Sequence, residues 1–424
     1  MKPMLSEFAI LGRTPMFAEP LHVGRPGIPD RQAFLQRIEN VLDSGQLTNG
    51  GPMVCEFEQT LQRRLGVRHV VAVCNGTMAL QLMAVAGGLQ GEVIVPSMTF
   101  IATAHALQWV GLTPVFADID ARTHTLDPDS VARCVSERTS AILGVHLWGN
   151  TCDVTALQKI ARRHQLRLLF DASHAFGCSL NGVPVGRFGD AEAFSFHATK
   201  ILHSIEGGAV VTDDDAIAHR CRLLRNFGIT GLTQIESPGT NARMNELCAA
   251  AGLTSLEALD DVIVQNLSNL RLYQTILEAV PGLSLVAPVR EVDSNGQYVV
   301  VEVNEQAFGL SRDQLLNILR AEGVFARSYF APGCHHAPPY AGHPRHTPVP
   351  LPTTERLLQE LIQLPTGSSI GQPEIRQIGA LLDAVRRHAA DLRHSLKARL
   401  PIYRHPMDPS QPDTPDHHRI PEAA

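Results

Sequence analysis

The stretch LLFDASHAFGCSLNGVPVGRFGDAEAFSFHATKILHSIEGGAVVT, from Leu168 to Thr212, decides the fold. It begins with a short apolar run that ends on an acid at Asp171 and then crosses a glycine-rich hairpin. A second, mostly apolar run from Ala191 to Phe196 leads to Lys200, and a glycine pair precedes a further strand. Because strand ends in a parallel sheet meet at one edge, we expect Asp171 and Lys200 to face each other.

Few enzymatic reactions require a partly buried lysine opposite a partly buried acid. Pyridoxal phosphate (PLP) needs such a pair, because a lysine holds its aldehyde as a Schiff base while a carboxylate keeps its ring nitrogen protonated. In this interpretation Lys200 is the Schiff-base lysine and general base, and Asp171 is the partner of the ring nitrogen. The alternative is a surface lysine after a core strand and a helix-capping aspartate, so other motifs must decide.

The composition is typical of a folded globular chain. The 424 residues are 44% hydrophobic and 18% charged, with a formal net charge of −6, which gives no support to binding of nucleic acid or of an anionic membrane. The eight cysteines form no CxxC pair, so we expect reduced, mostly buried thiols. We find neither an export signal nor an apolar run of about eighteen residues, and therefore expect a cytoplasmic protein.

From His69 onward, short apolar runs alternate with helical patterns, which predicts a largely parallel sheet with functional loops at the carboxyl ends of its strands. The predicted strands are 70–73, 92–96, 114–120, 141–149, 166–171, 191–196 and 298–303. The predicted helices are 31–42, 53–65, 77–86, 99–111, 154–164 and 312–322.

We expect four regions along the chain. They are an irregular N-terminal arm (1–30), a large PLP-binding domain (31–264), a smaller α+β domain (265–395) and a disordered tail (396–424). A helical run from Asn245 to Leu277 is predicted to bridge the two domains. A loop rich in proline and histidine, from Pro332 to Pro352, interrupts the smaller domain.

Two segments that follow buried strands could hold the cofactor. CNGTMAL, Cys74 to Leu80, places Gly76 and Thr77 at a helix start, where free N–H groups and a hydroxyl form a site for a phosphate, and Ser195 could add a second hydroxyl. PSMTFIAT offers Phe100 to stack on a pyridine ring. The alternatives are an ordinary threonine-capped helix and a core phenylalanine. His174, three residues after Asp171, is predicted to touch the ring or to be a structural histidine.

Two histidine pairs are candidate ligands for a metal ion. Cys334-His335-His336 and His417-His418 each lack a second ligand pair at a useful spacing, so we expect no metal site.

Six motifs occur in one order: the NGT turn, PSMTFIAT, HLWGN, DASHAFG, FSFHATK and EGGAVVTDD. In this order the chain resembles the DegT/DnrJ/StrS family of PLP-dependent nucleotide-sugar aminotransferases, from about Arg25 to Arg387. The resemblance implies a fold-type I aminotransferase, whose large domain has a mostly parallel mixed sheet flanked by helices and whose smaller C-terminal domain is α+β. It also implies a homodimer with active sites shared between subunits.

The resemblance assigns roles to eight residues. It implies that Lys200 forms the Schiff base, that Asp171 pairs with the pyridinium, and that the other six bind the cofactor: Gly76, Thr77 and Ser195 at the phosphate, Phe100 and His174 at the ring, and Arg243 reaching the phosphate from the partner subunit. The loops around His203 and from Tyr329 to Tyr340 are predicted to contact the sugar.

The implied reaction moves an amino group from L-glutamate to a keto carbon of a nucleotide-linked deoxysugar, with pyridoxamine phosphate (PMP) and 2-oxoglutarate formed between the two halves. FSFHATK, IEGGAVVT and LPTG together resemble the subgroup that acts at C4 of dTDP-4-keto-6-deoxyhexoses. Two alternatives are a PMP-dependent sugar dehydratase and a non-catalytic regulator that binds PLP. Dehydratases of this family carry histidine where the chain has Lys200.

Overall fold

The computed structural model describes residues 8–397. Its strands are β1 (Leu21–His22), β2 (His69–Val73), β3 (Glu92–Pro96), β4 (Thr113–Ala117), β5 (Thr139–Val145), β6 (Arg167–Asp171), β7 (Ser179–Leu180), β8 (Val183–Pro184), β9 (Ala191–Ser195), β10 (Gly208–Thr212), β11 (Leu283–Leu285), β12 (Val292–Asp293), β13 (Val299–Val303), β14 (Val324–Phe325) and β15 (Leu361–Leu364).

The helices and strands alternate through the first two thirds of the chain. The helices are α1 (Arg31–Ser44), α2 (Pro52–Leu65), α3 (Gly76–Ala86), α4 (Ala102–Trp109), α5 (Pro128–Cys134), α6 (Val154–His164), α7 (Asp215–Arg225), α8 (Glu246–Glu257), α9 (Leu259–Glu278), α10 (Glu305–Phe308), α11 (Arg312–Ala321), α12 (Pro352–Glu360), α13 (Gln372–Arg387) and α14 (Ala389–Lys397). Short 3-10 turns lie at Ala9–Leu11 and Cys334–His336.

A seven-stranded sheet with the order β2-β10-β9-β6-β5-β3-β4 forms the centre of the molecule. Its neighbouring strands are parallel except where β10 pairs with β2 and β9. Alternate residues of β2 face different hydrophobic cores, since Val71 and Val73 pack with α3 while Val70 and Ala72 pack with α2. Burial on both faces explains why these strands are apolar throughout, and it confirms the predicted α/β class.

The predicted elements differ from the structure mainly at their ends. Helix α6 has the predicted bounds, and Asp153 caps it by accepting a hydrogen bond from the N–H of Ala156. The strand predicted for 141–149 ends at Val145. Trp148 adopts a φ of 59°, in the left-handed region, and an extended strand cannot continue through such a residue. The long helical run is divided at Ala258 into α8 and α9.

A second hydrophobic core lies in the C-terminal part of the chain. Helices α9, α11 and α13 pack there against the antiparallel sheet β11-β13-β15. Helix α9 joins the two hydrophobic cores, because Leu259 lies in the core of α2 and α8 whereas Tyr273 lies in the C-terminal core. The boundary at 264 and 265 remains a prediction.

The described part of the N-terminal arm, residues 8–30, contains a 3-10 turn and strand β1, although the sequence predicted an irregular arm. Phe8 is buried in the C-terminal core, and β1 pairs in parallel with β14. The predicted disordered tail lies outside the described residues except for 396 and 397, which end α14. In the described part of the chain we find no helix whose length and apolar character would let it cross a membrane. Five of the eight cysteines are buried, two are partly buried and Cys55 is exposed.

Candidate active site

A cavity of about 280 Å³ lies at the carboxyl edge of the central sheet. Seven of the eight predicted site residues line it: Gly76, Thr77, Phe100, Asp171, His174, Ser195 and Lys200. The N-terminal arm and the C-terminal core also contribute residues, which include Arg25, Gly27, Tyr298, Arg327, Tyr329 and Phe330. The fold therefore gathers distant sequence motifs around one space.

Asp171 ends strand β6 and is only 5% exposed. One carboxylate oxygen accepts hydrogen bonds from the N–H (3.1 Å) and the hydroxyl (2.6 Å) of Ser173, and the other accepts one from the hydroxyl of Thr103 (2.8 Å). Thr99 continues this chain through a 2.9 Å contact between its hydroxyl and that of Thr103. These donors offset the cost of removing a carboxylate from water, and they fix its direction.

Lys200 lies in the turn after β9, where its N–H donates to the carbonyl of His197. Its Nζ donates a hydrogen bond of 3.4 Å to the hydroxyl of Tyr298. Burial lowers the pKa of Lys200 to about 8, although the nearby Asp171 carboxylate acts in the opposite direction. An amine that loses its proton near pH 8 is available as a nucleophile and as a base under mild conditions.

Aromatic side chains form one wall beside Lys200. The rings of His174 and Tyr298 lie 4.4 Å apart, and the ring of Trp148 stacks on Phe330 at 5.1 Å. Burial, with a smaller effect of Lys200, holds the pKa of His174 well below its usual value, so its imidazole is neutral. Burial also raises the pKa of Tyr298 well above its usual value, so it keeps its hydroxyl proton. Phe100 is 51% exposed, lines the cavity, and has its ring centre 6.4 Å from that of Phe330.

The first turn of α3 forms the opposite end of the cavity. Asn75 caps the helix by accepting from the N–H of Met78, so its side chain does not occupy the N–H groups of Gly76 and Thr77. A Cβ at Gly76 would lie 2.7 Å from the Cβ of Ser195, and one at Gly208 would lie 2.6 Å from the carbonyl of Asn75. Both glycines are required for this close packing, which places the Ser195 hydroxyl beside a helix N-terminus suited to an anion.

The eighth predicted residue, Arg243, does not line this cavity. Its guanidinium donates a hydrogen bond to Asn226 and lies 5.4 Å from the centre of the Phe227 ring. The resemblance assigned it to the site of a partner subunit, so this role remains a prediction.

Sequence reasoning missed several residues that support the site. Ser173 and Thr103 lie within motifs that were recognised, and their spacing from Asp171 and Phe100 could have singled them out. Tyr298 gave no such signal, because it follows Lys200 by 98 residues and belongs to the C-terminal part of the chain. Gln297, beside it, donates to the carbonyl of Thr199 and ties that part to the lysine turn.

The two loops that were predicted to contact the sugar differ in how they lie relative to the cavity. Nε2 of His203 lies 2.7 Å from the carbonyl oxygen of Gly27, so this histidine holds the N-terminal segment over the cavity. Tyr329 and Phe330 line the cavity, but Tyr340 is buried against Phe116 at 5.4 Å between ring centres. Only the first part of the 329–340 loop therefore faces the site.

The family model of the DegT/DnrJ/EryC1/StrS aminotransferases matches residues 29–383. The chain belongs to this family. It is 38% identical over 314 residues to a dTDP-4-amino-4,6-dideoxy-D-glucose transaminase of Shigella dysenteriae, which covers 74% of this chain and 85% of that protein. It is 32% identical to an Escherichia coli transaminase of the same name, over 85% of this chain and 97% of that protein.

Solved structures agree with the family assignment and with the fold-type I architecture. The crystal structure of DesI in the presence of its TDP-sugar product is 50% identical, with a TM-score of 0.89 over 93% of this chain and 100% of that chain. DesV from S. venezuelae, in complex with a ketimine intermediate, is 34% identical, with a TM-score of 0.78 over 85% of this chain and 95% of that chain.

The family is PLP-dependent, which confirms the predicted cofactor. The cavity fits the group in two ways that the structure shows. Its helix N-terminus carries a glycine that leaves no room for a side chain, and Nδ1 of buried His174 has no hydrogen-bond partner among the described residues. Gly76, Thr77 and Ser195 would hold the phosphate, and Asp171 would face the ring nitrogen.

We expect the reactivity of Lys200 towards PLP to rise with pH around pH 8. Burial lowers the pKa of its amine from 10.5 to about 8, so the amine is protonated below that value and neutral above it. Apoprotein mixed with PLP and trapped with borohydride at different pH values should give a rate of covalent attachment at Lys200 with a midpoint near 8. A midpoint near 10.5, the value of a lysine in water, would contradict the described environment.

Proposed function

We propose that the protein transfers an amino group from L-glutamate to C4 of a dTDP-4-keto-6-deoxyhexose. The observation that carries the proposal is the pairing, in one cavity, of Lys200, whose amine has a lowered pKa, with the hydrogen-bonded carboxylate of Asp171. The names of the relatives support the sugar and the carbon, since two are 4-amino-4,6-dideoxyglucose transaminases and DesI was solved with a TDP-sugar product.

Each side chain of the site has a separate role in the proposed reaction. PLP, when bound, supplies an aldehyde that takes up the amino group and a ring that withdraws electrons from the adjacent carbon. Nζ of Lys200 would accept the proton from the α-carbon of the donor in the first half-reaction and pass it to the cofactor, and in the second half-reaction it would donate a proton to the sugar carbon that receives the amino group. Asp171 would keep the ring nitrogen protonated, while His174, whose pKa burial holds well below its usual value, would lie beside the ring without adding a positive charge.

The mouth of the cavity carries positive charge suited to a diphosphate. Arg25 and Arg327 both line it, and both contribute, after burial, to lowering the pKa of His22. Arg327 donates to the hydroxyl of Tyr329 and lies over its ring. Neither arginine forms an ion pair with an acid in the part of the chain that the structure describes. We therefore assign the diphosphate of the nucleotide sugar to this pair.

We also propose that the active form is a homodimer. The segment that follows α7 exposes four apolar side chains, Phe227, Ile229, Leu232 and Ile235, and Leu232 is completely exposed. An isolated antiparallel β-bridge joins Ile229 to Ile235 within the segment. A second bridge joins Asn226, just before the segment, to Asn241, which precedes Arg243 by two residues. Several exposed apolar side chains within one short segment are typical of a protein interface.

Purified PLP-loaded protein should form L-glutamate from 2-oxoglutarate and dTDP-4-amino-4,6-dideoxy-D-glucose, which is the reverse of the proposed reaction. Lys200→Ala should reduce the rate by about a thousandfold or more, because it removes both the covalent attachment and the proton carrier. Lys159→Ala, at an exposed lysine on α6, is the matched control and should keep the wild-type rate. Wild-type protein that binds PLP but transfers no amino group would favour the regulator alternative.

Arg25→Gln and Arg327→Gln should each raise the KM for the nucleotide sugar about tenfold, because each removes a charge-assisted hydrogen bond worth about 1.5 kcal/mol. The KM for glutamate should stay within about twofold of wild type by the same reasoning. Arg122→Gln, at an arginine whose side chain is 83% exposed, serves as the control. Equal losses for both substrates would show that the pair does not serve the diphosphate.

Leu232→Asp combined with Ile235→Asp should convert a dimer into a monomer, because two charges would enter an apolar interface. Sedimentation equilibrium of wild-type and variant protein measures this directly. Val183→Asp places a charge at an exposed valine on the β7–β8 hairpin and should leave the dimer intact. A monomeric wild-type protein would exclude the proposed assembly.

A further inference from the structure

Two histidines and a glutamate converge outside the cavity, at the edge of the sheet beyond β3 and β4. Nε2 of His335 and Nε2 of His336 each lie 2.9 Å from the same oxygen, Oε1 of Glu355. The histidines belong to the 3-10 turn Cys334–His336, and the glutamate lies in the first turns of α12. The sequence had offered no further ligand for the histidine pair, because Glu355 follows His336 by 19 residues.

The spacing of these three atoms is close to that of a tetrahedral metal site. The candidate ligand atoms all lie within 4.8 Å of one another. Ligands bound to Zn²⁺ at about 2.0 to 2.1 Å in a tetrahedron lie about 3.3 Å from each other, close to the 2.9 Å that separates each Nε2 from Oε1 of Glu355. Two imidazoles and one carboxylate are a ligand set that Zn²⁺ accepts, with water in the fourth position.

Ser97 supplies the support that a metal-binding histidine requires. Its hydroxyl pairs with Nδ1 of His335 and also accepts the backbone N–H of that residue, while its carbonyl accepts the N–H of Cys334. A hydroxyl both donates and accepts, so it can stabilise the tautomer of His335 that leaves the Nε2 lone pair free for a metal.

The helix that carries Glu355 is fixed independently of the histidines. Asp118, at the end of β4, accepts hydrogen bonds from the N–H groups of Thr353 and Thr354 and from the Thr354 hydroxyl. The site is also open to solvent on one side, because the side chains of His336 and Glu355 are 48% and 44% exposed. A cation can therefore enter without unfolding the loop, and one side of the site stays accessible to water.

We propose that His335, His336 and Glu355 bind one divalent cation of the Zn²⁺ type per chain and thereby clamp the long loop to α12. This loop begins just after Tyr329 and Phe330, which line the active-site cavity. The cation would stiffen the wall that these rings form. Its role is structural, since none of its three ligands lines the cavity.

The test uses PLP-loaded, full-length protein that has been dialysed against a chelator and then titrated with ZnCl₂. Calorimetry should give one site per chain in wild-type protein, and bound zinc measured by mass spectrometry should give the same stoichiometry. The double variant His336→Gln and Glu355→Gln should lose this site, while it keeps polar groups of similar size at two partly exposed positions. Zinc should also raise the melting temperature of wild-type protein but not that of the double variant.

His219→Gln is the matched control. His219 and Glu236 form an exposed pair with 3.6 Å between Nε2 and Oε1, but among residues 8–397 they belong to no group of three metal-ligating side chains, so the variant should bind zinc as wild type does. The proposal is overturned if wild-type protein takes up no zinc, or if the double variant takes up the same amount. Circular dichroism of the metal-free proteins checks that both variants are folded.

Discussion

The buried carboxylate of Asp171 is the constraint on which the site depends. A carboxylate at this depth is costly unless donors replace the water that it has lost, and Thr103 and Ser173 supply three hydrogen bonds. These bonds fix the start of α4 against the turn after β6. The same charge opposes the effect of burial on Lys200, so the pKa of the amine is near 8 rather than lower. The same side chain would therefore keep the ring nitrogen of the cofactor protonated, and it limits how far burial lowers the pKa of the amine.

The order of strands explains why the other cofactor groups meet at this edge. Strands β6 and β9 are parallel neighbours, so Asp171 and Ser195 both lie at carboxyl ends. Strand β10 runs in the opposite direction, so its first residue, Gly208, lies at the same edge and faces Asn75. Side chains at Gly76 or Gly208 would push these segments apart. The tight packing leaves backbone N–H groups at a helix start within reach of a phosphate.

The cavity is completed by parts of the chain that are remote in sequence. His203 holds the N-terminal segment at Gly27, while Gln297 and Tyr298 connect the C-terminal core to the lysine turn. Phe330, at the start of the long loop, adds an aromatic wall against Trp148. The geometry around Lys200 therefore depends on how α9 joins the two hydrophobic cores.

The sequence by itself determined the α/β class, the bounds of elements such as α6, and the pairing of Lys200 with Asp171. These features depend on local hydrophobic patterns and on strand ends, which are encoded by neighbouring residues. Seven of the eight assigned residues, this pair included, line one cavity, while the role of Arg243 towards a second subunit stays a prediction. Tyr298 at the lysine and Glu355 at the histidine pair were decided by tertiary structure alone. Such contacts join residues that are far apart in the chain. The local periodicity of hydrophobic residues does not indicate which distant side chains the folded core brings together.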